Sequence, residues 1–169
     1  MDLGLLVLRT VLGLTLAAHG AQKLFGWFGG HGLAGTGAFF EQLGFRPGKA
    51  QAFLAGLMEA GGGLLLAAGL FTPLAAAVIV AVMLVAVIGV HAAKGFFAQN
   101  GGFEYPLVLA AAASALGFTG PGAFSVDSAL GLFPGPVWGV AALVAGLAMA
   151  AAPLVARRVA PATEARKAA

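Results

Sequence analysis

Five long apolar runs, set apart by breaks rich in glycine and proline, constrain this chain more than any other feature. They lie at about residues 3–25, 50–71, 74–93, 103–118 and 137–156. A helix needs about 20 residues to cross the hydrocarbon of a bilayer, with a working range of about 17–25. The first, second, third and fifth runs meet that length. The fourth is short, and either crosses thin bilayer or dips in and returns. Composition agrees with lipid as the solvent: 60% of residues are hydrophobic and 9% charged, against about 25% charged in soluble domains. A soluble fold of this length would have too few charges to cover its surface.

The expected fold is therefore all-α, a polytopic transmembrane helix bundle. Many of the 27 glycines fall inside the apolar runs. There they would let helix backbones approach closely, as small residues do at membrane helix contacts. In the second run Ala52, Gly56, Ala60, Gly63 and Ala67 form such a stripe at three- and four-residue spacing. It could serve within one bundle or between protomers of a homo-oligomer. The start Met1-Asp2-Leu3 lacks the basic region of a cleaved signal peptide, so the first run is read as helix one.

Basic residues orient the bundle. If all five runs cross and the basic tail (Arg157, Arg158, Arg166, Lys167) is cytoplasmic, then Arg46, Lys49 and Lys94 fall on the same side. The Thr72-Pro73 turn and the 119–136 loop, which carry no Lys or Arg, fall outside with the N-terminus. That distribution follows the positive-inside rule and favours five spans. The net charge of +3 is thus read as orientation and affinity for anionic lipid, not nucleic-acid binding. The loop 26–49 is expected at the interface, with Trp27, Phe28 and the amphipathic stretch Ala38–Leu43 in the lipid boundary.

Two motif readings fall away. Gly30-His31-Gly32-Leu33-Ala34-Gly35 matches G-x-G-x-x-G, but it follows a membrane helix and not the strand a dinucleotide site requires. There is no cysteine, so any thiol chemistry must come from a partner or a small substrate.

The candidate site is the set of ionisable residues within or beside the spans: Arg9, His19, Lys23, Glu59, His91, Lys94 and Glu104. Each costs about 2.5–3.5 kcal/mol to insert unless it faces protein or water. At 100° per residue Arg9, Leu12, Leu16, His19 and Lys23 share one face of helix one. His91 and Lys94 share a face of helix three, and Glu104 opens helix four near the same membrane side. Arg9 lies toward the opposite side, with Glu59 between, in reach of Arg9 or His19.

Several chemistries suit this set. Pairs such as Arg9–Glu59 and Lys94–Glu104 could fix helix register. A polar pocket opening to the interface could bind a quinone head and relay its protons. His19, His91, Glu59 and Glu104 have the donors for a transition metal, but no ligand spacing supports one, and no metal is assigned. A transport route is the remaining reading.

A series of short motifs in order resembles the DoxX family of small bacterial membrane proteins. They are Arg9; His19-Gly20 with Lys23-Leu24-Phe25-Gly26; Glu59 with Gly61-Gly62-Gly63 and Gly69-Leu70-Phe71-Thr72-Pro73; His91 with Gly95-Phe96-Phe97; Gly101-Gly102-Phe103-Glu104-Tyr105; and Gly120-Pro121-Gly122 with Ser125 and Asp127. The resemblance implies a four-helix core over residues 1–135, leaving residues 136–156 as an added fifth C-terminal transmembrane helix and 157–169 as a basic tail. It also implies a multi-pass protein of the bacterial cytoplasmic membrane. The role implied is redox-linked: a subunit serving thiosulfate:quinone oxidoreduction, or the membrane part of an oxidative-stress assembly with soluble thiol-handling and superoxide-removing enzymes. A quinone or small thiol is then the expected ligand. A non-catalytic scaffold for soluble partners and a small-solute carrier are the alternatives.

Overall fold

A computed structural model describes residues 1–132 and 135–157. The described residues form helices and turns without a strand. Helix α1 spans Asp2–Phe25, α2 spans Gly32–Gln42, α3 spans Gly48–Ala68 and α4 spans Thr72–Ala86. Helix α4 continues through a π turn, Val87–His91, and a 3-10 turn, Ala92–Lys94. Helices α5 (Glu104–Thr119), α6 (Val126–Leu130) and α7 (Val137–Ala156) follow among the described residues.

Glycine sets two of the breaks. Helix α1 stops where Gly26 turns left-handed (φ 74°) and its N–H bonds back to the Gln22 carbonyl. Helix α3 stops in the same way at Gly69 (φ 64°). Three residues later Thr72-Pro73 starts α4, where proline's missing N–H costs no helical bond.

Helices α1 and α3 lie against each other along their small residues. A Cβ on Gly13 would collide with the backbone at Gly63 and Ala67, and one on Gly20 with the backbone at Gly56 and Ala60. The stripe expected on the second run is therefore a contact inside the bundle. Helix α4 is the central helix, with Ala75, Ala76, Ala77 and Ile79 to Met83 all buried. Its partners include Leu12 and Leu16 of α1, Leu66 of α3 and Leu109, Ala113 and Leu116 of α5. Helix α7 packs on α4 by the same small-residue logic, Ala142 against Ala76 and Ala77.

The outward faces are apolar. Val7, Val11 and Leu14 on α1, Phe53, Leu57 and Leu64 on α3, and Val140, Val144 and Leu147 on α7 are all exposed. Bands of aliphatic side chains around a core of alanine and glycine are what a helix bundle presents to lipid tails.

Four helices are long and apolar enough to cross a membrane: α1, α3, α4 with its extension to Lys94, and α7. The sequence reading counted five spans, and a fifth is not shown. Helix α5 has 16 residues, or roughly 24 Å against a hydrocarbon core of about 30 Å. The motif Gly30–Gly35 enters α2 from a 3-10 turn, Trp27–Gly29, with no strand before it, so the dinucleotide reading fails on structure as well.

Candidate functional site

The antiparallel register of α1 and α3 decides which ionisable groups meet. Gly13 faces Gly63, and Gly20 faces Ala60. Glu59 therefore sits at the level of the last turns of α1, and Arg9 at the level of Ala67. The Arg9–Glu59 pair considered from the sequence does not form. Glu59, 4% exposed, is ion-paired with Lys23. Among the described residues this is the one ion pair. The pair is buried on the Glu59 side, and the Lys23 side chain keeps 24% exposure.

One turn back on the same face, His19 lies between two partners. Its Nδ1 is 3.1 Å from Gln22 Oε1 and its Nε2 is 3.2 Å from the Tyr105 hydroxyl. Gln22 Nε2 in turn donates to the Phe28 carbonyl at 3.1 Å. Tyr105, the single tyrosine of the chain, escaped the sequence reading as a site residue, although it stands in a motif with Glu104.

The remaining members of the expected set stand apart. The π turn at the end of α4 rotates His91 so that its Nδ1 lies 2.6 Å from the Gly101 carbonyl. Glu104 accepts the Ala98 N–H at 2.9 Å, which pins the 95–103 loop and leaves no Lys94–Glu104 pair among the described residues. Lys94 is exposed and its stem passes over Gly101. His19, His91, Glu59 and Glu104 thus do not converge, and no three His, Asp or Glu among the described residues could hold a metal ion. The donor set weighed for a transition metal is dispersed among separate hydrogen bonds.

Arg9 belongs to a second, drier cluster at the other end of α1. It is 2% exposed, and its guanidinium donates to the Ala67 and Phe124 carbonyls. Beside it Asp127, 1% exposed, accepts the N–H groups of Phe71 at 2.7 Å and Thr72 at 2.8 Å. Asp127 also donates its own N–H to the Gly69 carbonyl at 2.8 Å. Ser125 caps α6 by accepting the Ser128 N–H, and Asp2 accepts the Ala123 N–H at 2.9 Å. These bonds tie the 120–131 loop to α1 and to the α3–α4 turn. Asp127 was quoted in a motif but not counted as a site residue. Its signal lay in the turn it caps, where two adjacent donors need an acceptor.

A cavity of about 280 Å3 opens beside the Lys23 end of the first cluster, lined by Gln22, Lys23, His31, Thr36, Phe39 and Phe40 among others. It lies between the end of α1 and α2, the segment expected at the lipid boundary. Small-molecule pockets are commonly about 300–1,000 Å3, so this one suits a single ring or a comparably small group. Its lining combines the donors of Lys23, Gln22 and Thr36 with the rings of Phe39 and Phe40. A smaller space, about 200 Å3, lies at the opposite end near Phe71, Asp127 and Trp138.

Arg157 closes the Lys23 end of the bundle from the C-terminal side. Its Nε donates to the Leu43 carbonyl at 2.6 Å and its guanidinium lies over the Phe45 ring, 5.2 Å from the centroid. Arg46, Lys49, Lys94 and Arg157 all stand at the end that holds Lys23. Arg158, Arg166 and Lys167 lie outside the described residues.

No curated protein and no solved structure matches this chain. The DoxX family model matches residues 4–92, over half of the chain. That stretch contains Arg9, His19, Lys23, Glu59 and His91, and stops short of Tyr105 and Asp127, which complete their hydrogen bonds from outside it. An apolar helix bundle with this match is a membrane protein, and the chain belongs to the DoxX family.

Proposed function

We propose that the chain is the membrane subunit of a redox-linked assembly, binding a quinone head or a small thiol at the Lys23 end of the bundle. The observation that carries this reading is the cavity of about 280 Å3 lined by Lys23, Gln22 and Thr36 together with Phe39 and Phe40. A quinone carbonyl needs a hydrogen-bond donor, and its ring needs an apolar wall. The buried Glu59 carboxylate beneath Lys23 supplies a proton acceptor when the ammonium turns to a ligand. The basic end faces the cytoplasm of a bacterium in this reading, where a soluble thiol-handling enzyme docks on Arg46, Lys49 and the tail.

The test is purification from native membranes followed by mass spectrometry of bound quinones, thiols and co-purifying proteins. Quinone or thiol retained by the wild type and reduced severalfold in Thr36→Val supports the pocket. No bound quinone or thiol in several detergents would rule it out.

A second reading has its own support. Lys23 and Glu59 are paired within the bundle and the Arg9 guanidinium is held by two backbone carbonyls, as a scaffold that only recruits soluble partners requires. Removing residues 158–169 then abolishes recovery of the partner. If the partner is recovered equally well without them, a scaffold acting through its tail is wrong.

A further inference from the structure

The polarity of the hydrogen-bond chain Phe28–Gln22–His19–Tyr105 is fixed from one end. A backbone carbonyl only accepts, so the Gln22 amide nitrogen must face Phe28. The Gln22 oxygen then faces His19 Nδ1 at 3.1 Å, and that nitrogen must donate. A neutral imidazole has one donor and one acceptor, so Nε2 carries the free lone pair. It is aimed at the Tyr105 hydroxyl, 3.2 Å away, and the phenol donates. Tyr105 therefore has a preset base on its proton, held by a residue three positions along α1.

Three further features bear on what such a phenol does. Tyr105 is 44% exposed and stands at the start of α5, on a bundle whose outer surface is apolar. The carboxylates near it are Glu59, already paired with Lys23, and the adjacent Glu104, which accepts the Ala98 N–H. The imidazole is thus the base on the phenol. A phenol alone is slow to give up an electron, because its radical cation is a strong acid that must shed a proton. A base already bonded to the hydroxyl lets proton and electron leave together.

We propose that Tyr105 and His19 form a proton-coupled one-electron donor whose oxidants are peroxyl radicals arriving laterally from the bilayer. In the step, one electron passes from Tyr105 to the peroxyl radical, the Tyr105 O–H bond breaks, and an N–H bond forms at His19 Nε2. The products are a neutral Tyr105 phenoxyl radical, an imidazolium and a hydroperoxide anion, which takes a proton from interfacial water. Each chain gives one electron in this step. Gln22 is a positioning residue: it holds the tautomer and touches no reactant. The site shares Gln22 with the cavity beside Lys23, but His19 and Tyr105 do not line that cavity, and a failure of quinone binding leaves the proposal standing.

The test uses the full chain in phosphatidylcholine vesicles containing a lipophilic azo initiator, read by electron paramagnetic resonance. A tyrosyl signal is expected in the wild type and none in Tyr105→Phe. His19→Gln should form the radical about 100-fold more slowly, the scale of general-base assistance. Gln22→Ala, with nitrogen-15 NMR of His19, should show a mixture of tautomers and a slower rate at unchanged helical content. Should His19→Gln fail to fold, Gln22→Ala carries the test. No wild-type signal, or equal rates in the wild type and the folded His19 or Gln22 variants, overturns the proposal.

Discussion

Asp127 and Thr72, 55 residues apart in the chain, are joined by a 2.8 Å bond in which the Asp127 carboxylate accepts the first N–H of α4. With the neighbouring bond from Phe71 it gives the central helix a charged N-terminal cap, the arrangement that opposes the positive end of a helix dipole. Asp127→Ala leaves the buried Thr72 donor and the partly buried Phe71 donor unpaired. It should cost about 2–4 kcal/mol, since a buried orphaned group costs about 1–3 kcal/mol and the partly exposed one less. Asp127→Asn keeps one acceptor and should cost less. Thermal unfolding in detergent ranks the two, and equal losses would show that the carboxylate does not act as a cap.

Arg9 is expected to resist replacement by lysine. Its fork reaches two carbonyls on different segments, Ala67 and Phe124, and a single ammonium cannot span both with the same geometry. Arg9→Lys should lower the unfolding temperature in detergent almost as much as Arg9→Met. Glu59→Gln should leave the Arg9 contacts intact, so its loss of stability should add to that of Arg9→Met in the double variant. Full stability in Arg9→Lys would mean that charge alone is needed there.

The Lys23–Glu59 pair should show coupling in a double-mutant cycle. Removing one partner strands a charge, at about 3–5 kcal/mol for a fully buried pair. The 24% exposure of Lys23 lowers that toward about 1–3 kcal/mol. Lys23→Met combined with Glu59→Leu should recover much of either single loss. Additive losses would show that the pair contributes nothing of its own.

Glycines differ by what they face. Gly13 and Gly20 meet the α3 backbone, whereas a Cβ on Gly61 would meet nothing within 4 Å. Gly13→Leu should prevent α1 and α3 from docking and abolish recovery of folded protein. Gly61→Ala should be neutral or stabilise by up to about 1 kcal/mol through helix propensity. Yield and melting temperature of the two variants give the comparison, and a folded Gly13→Leu protein would contradict the close α1–α3 contact.

Much of this fold follows from periodicity that the sequence displays openly. The shared face of Arg9, Leu12, Leu16, His19 and Lys23 is set by helical geometry alone, and three of these five are buried. The small residues of α3 were readable as a contact for the same reason. Pairing was not readable, because spacing along one helix fixes a face and leaves open how far the neighbouring helix slides. Close approach at Gly13 and Gly20 sets that slide. It puts Glu59 beside Lys23 and about ten residues, roughly 15 Å, from the level of Arg9. His91 was misplaced for another reason: its helix ends in a π turn, which breaks the 100° rule. Asp127 and Tyr105 act on residues more than 50 positions away, and no local pattern announces such bonds.

The bond from Arg9 to the Phe124 carbonyl also sets an order of assembly. Helix α1 leaves the ribosome long before residue 124 exists, and at about 5–20 residues per second the delay is of order ten seconds. The Ala67 carbonyl is made about halfway through that interval; until then the guanidinium has neither final acceptor, and afterwards it has one, so it must be held at a wet surface or by the insertion machinery. The nascent chain therefore reaches its seated first helix late, when the loop that answers Arg9 has been made. Biogenesis of this bundle closes from its C-terminal side, with the earliest segment among the last to settle.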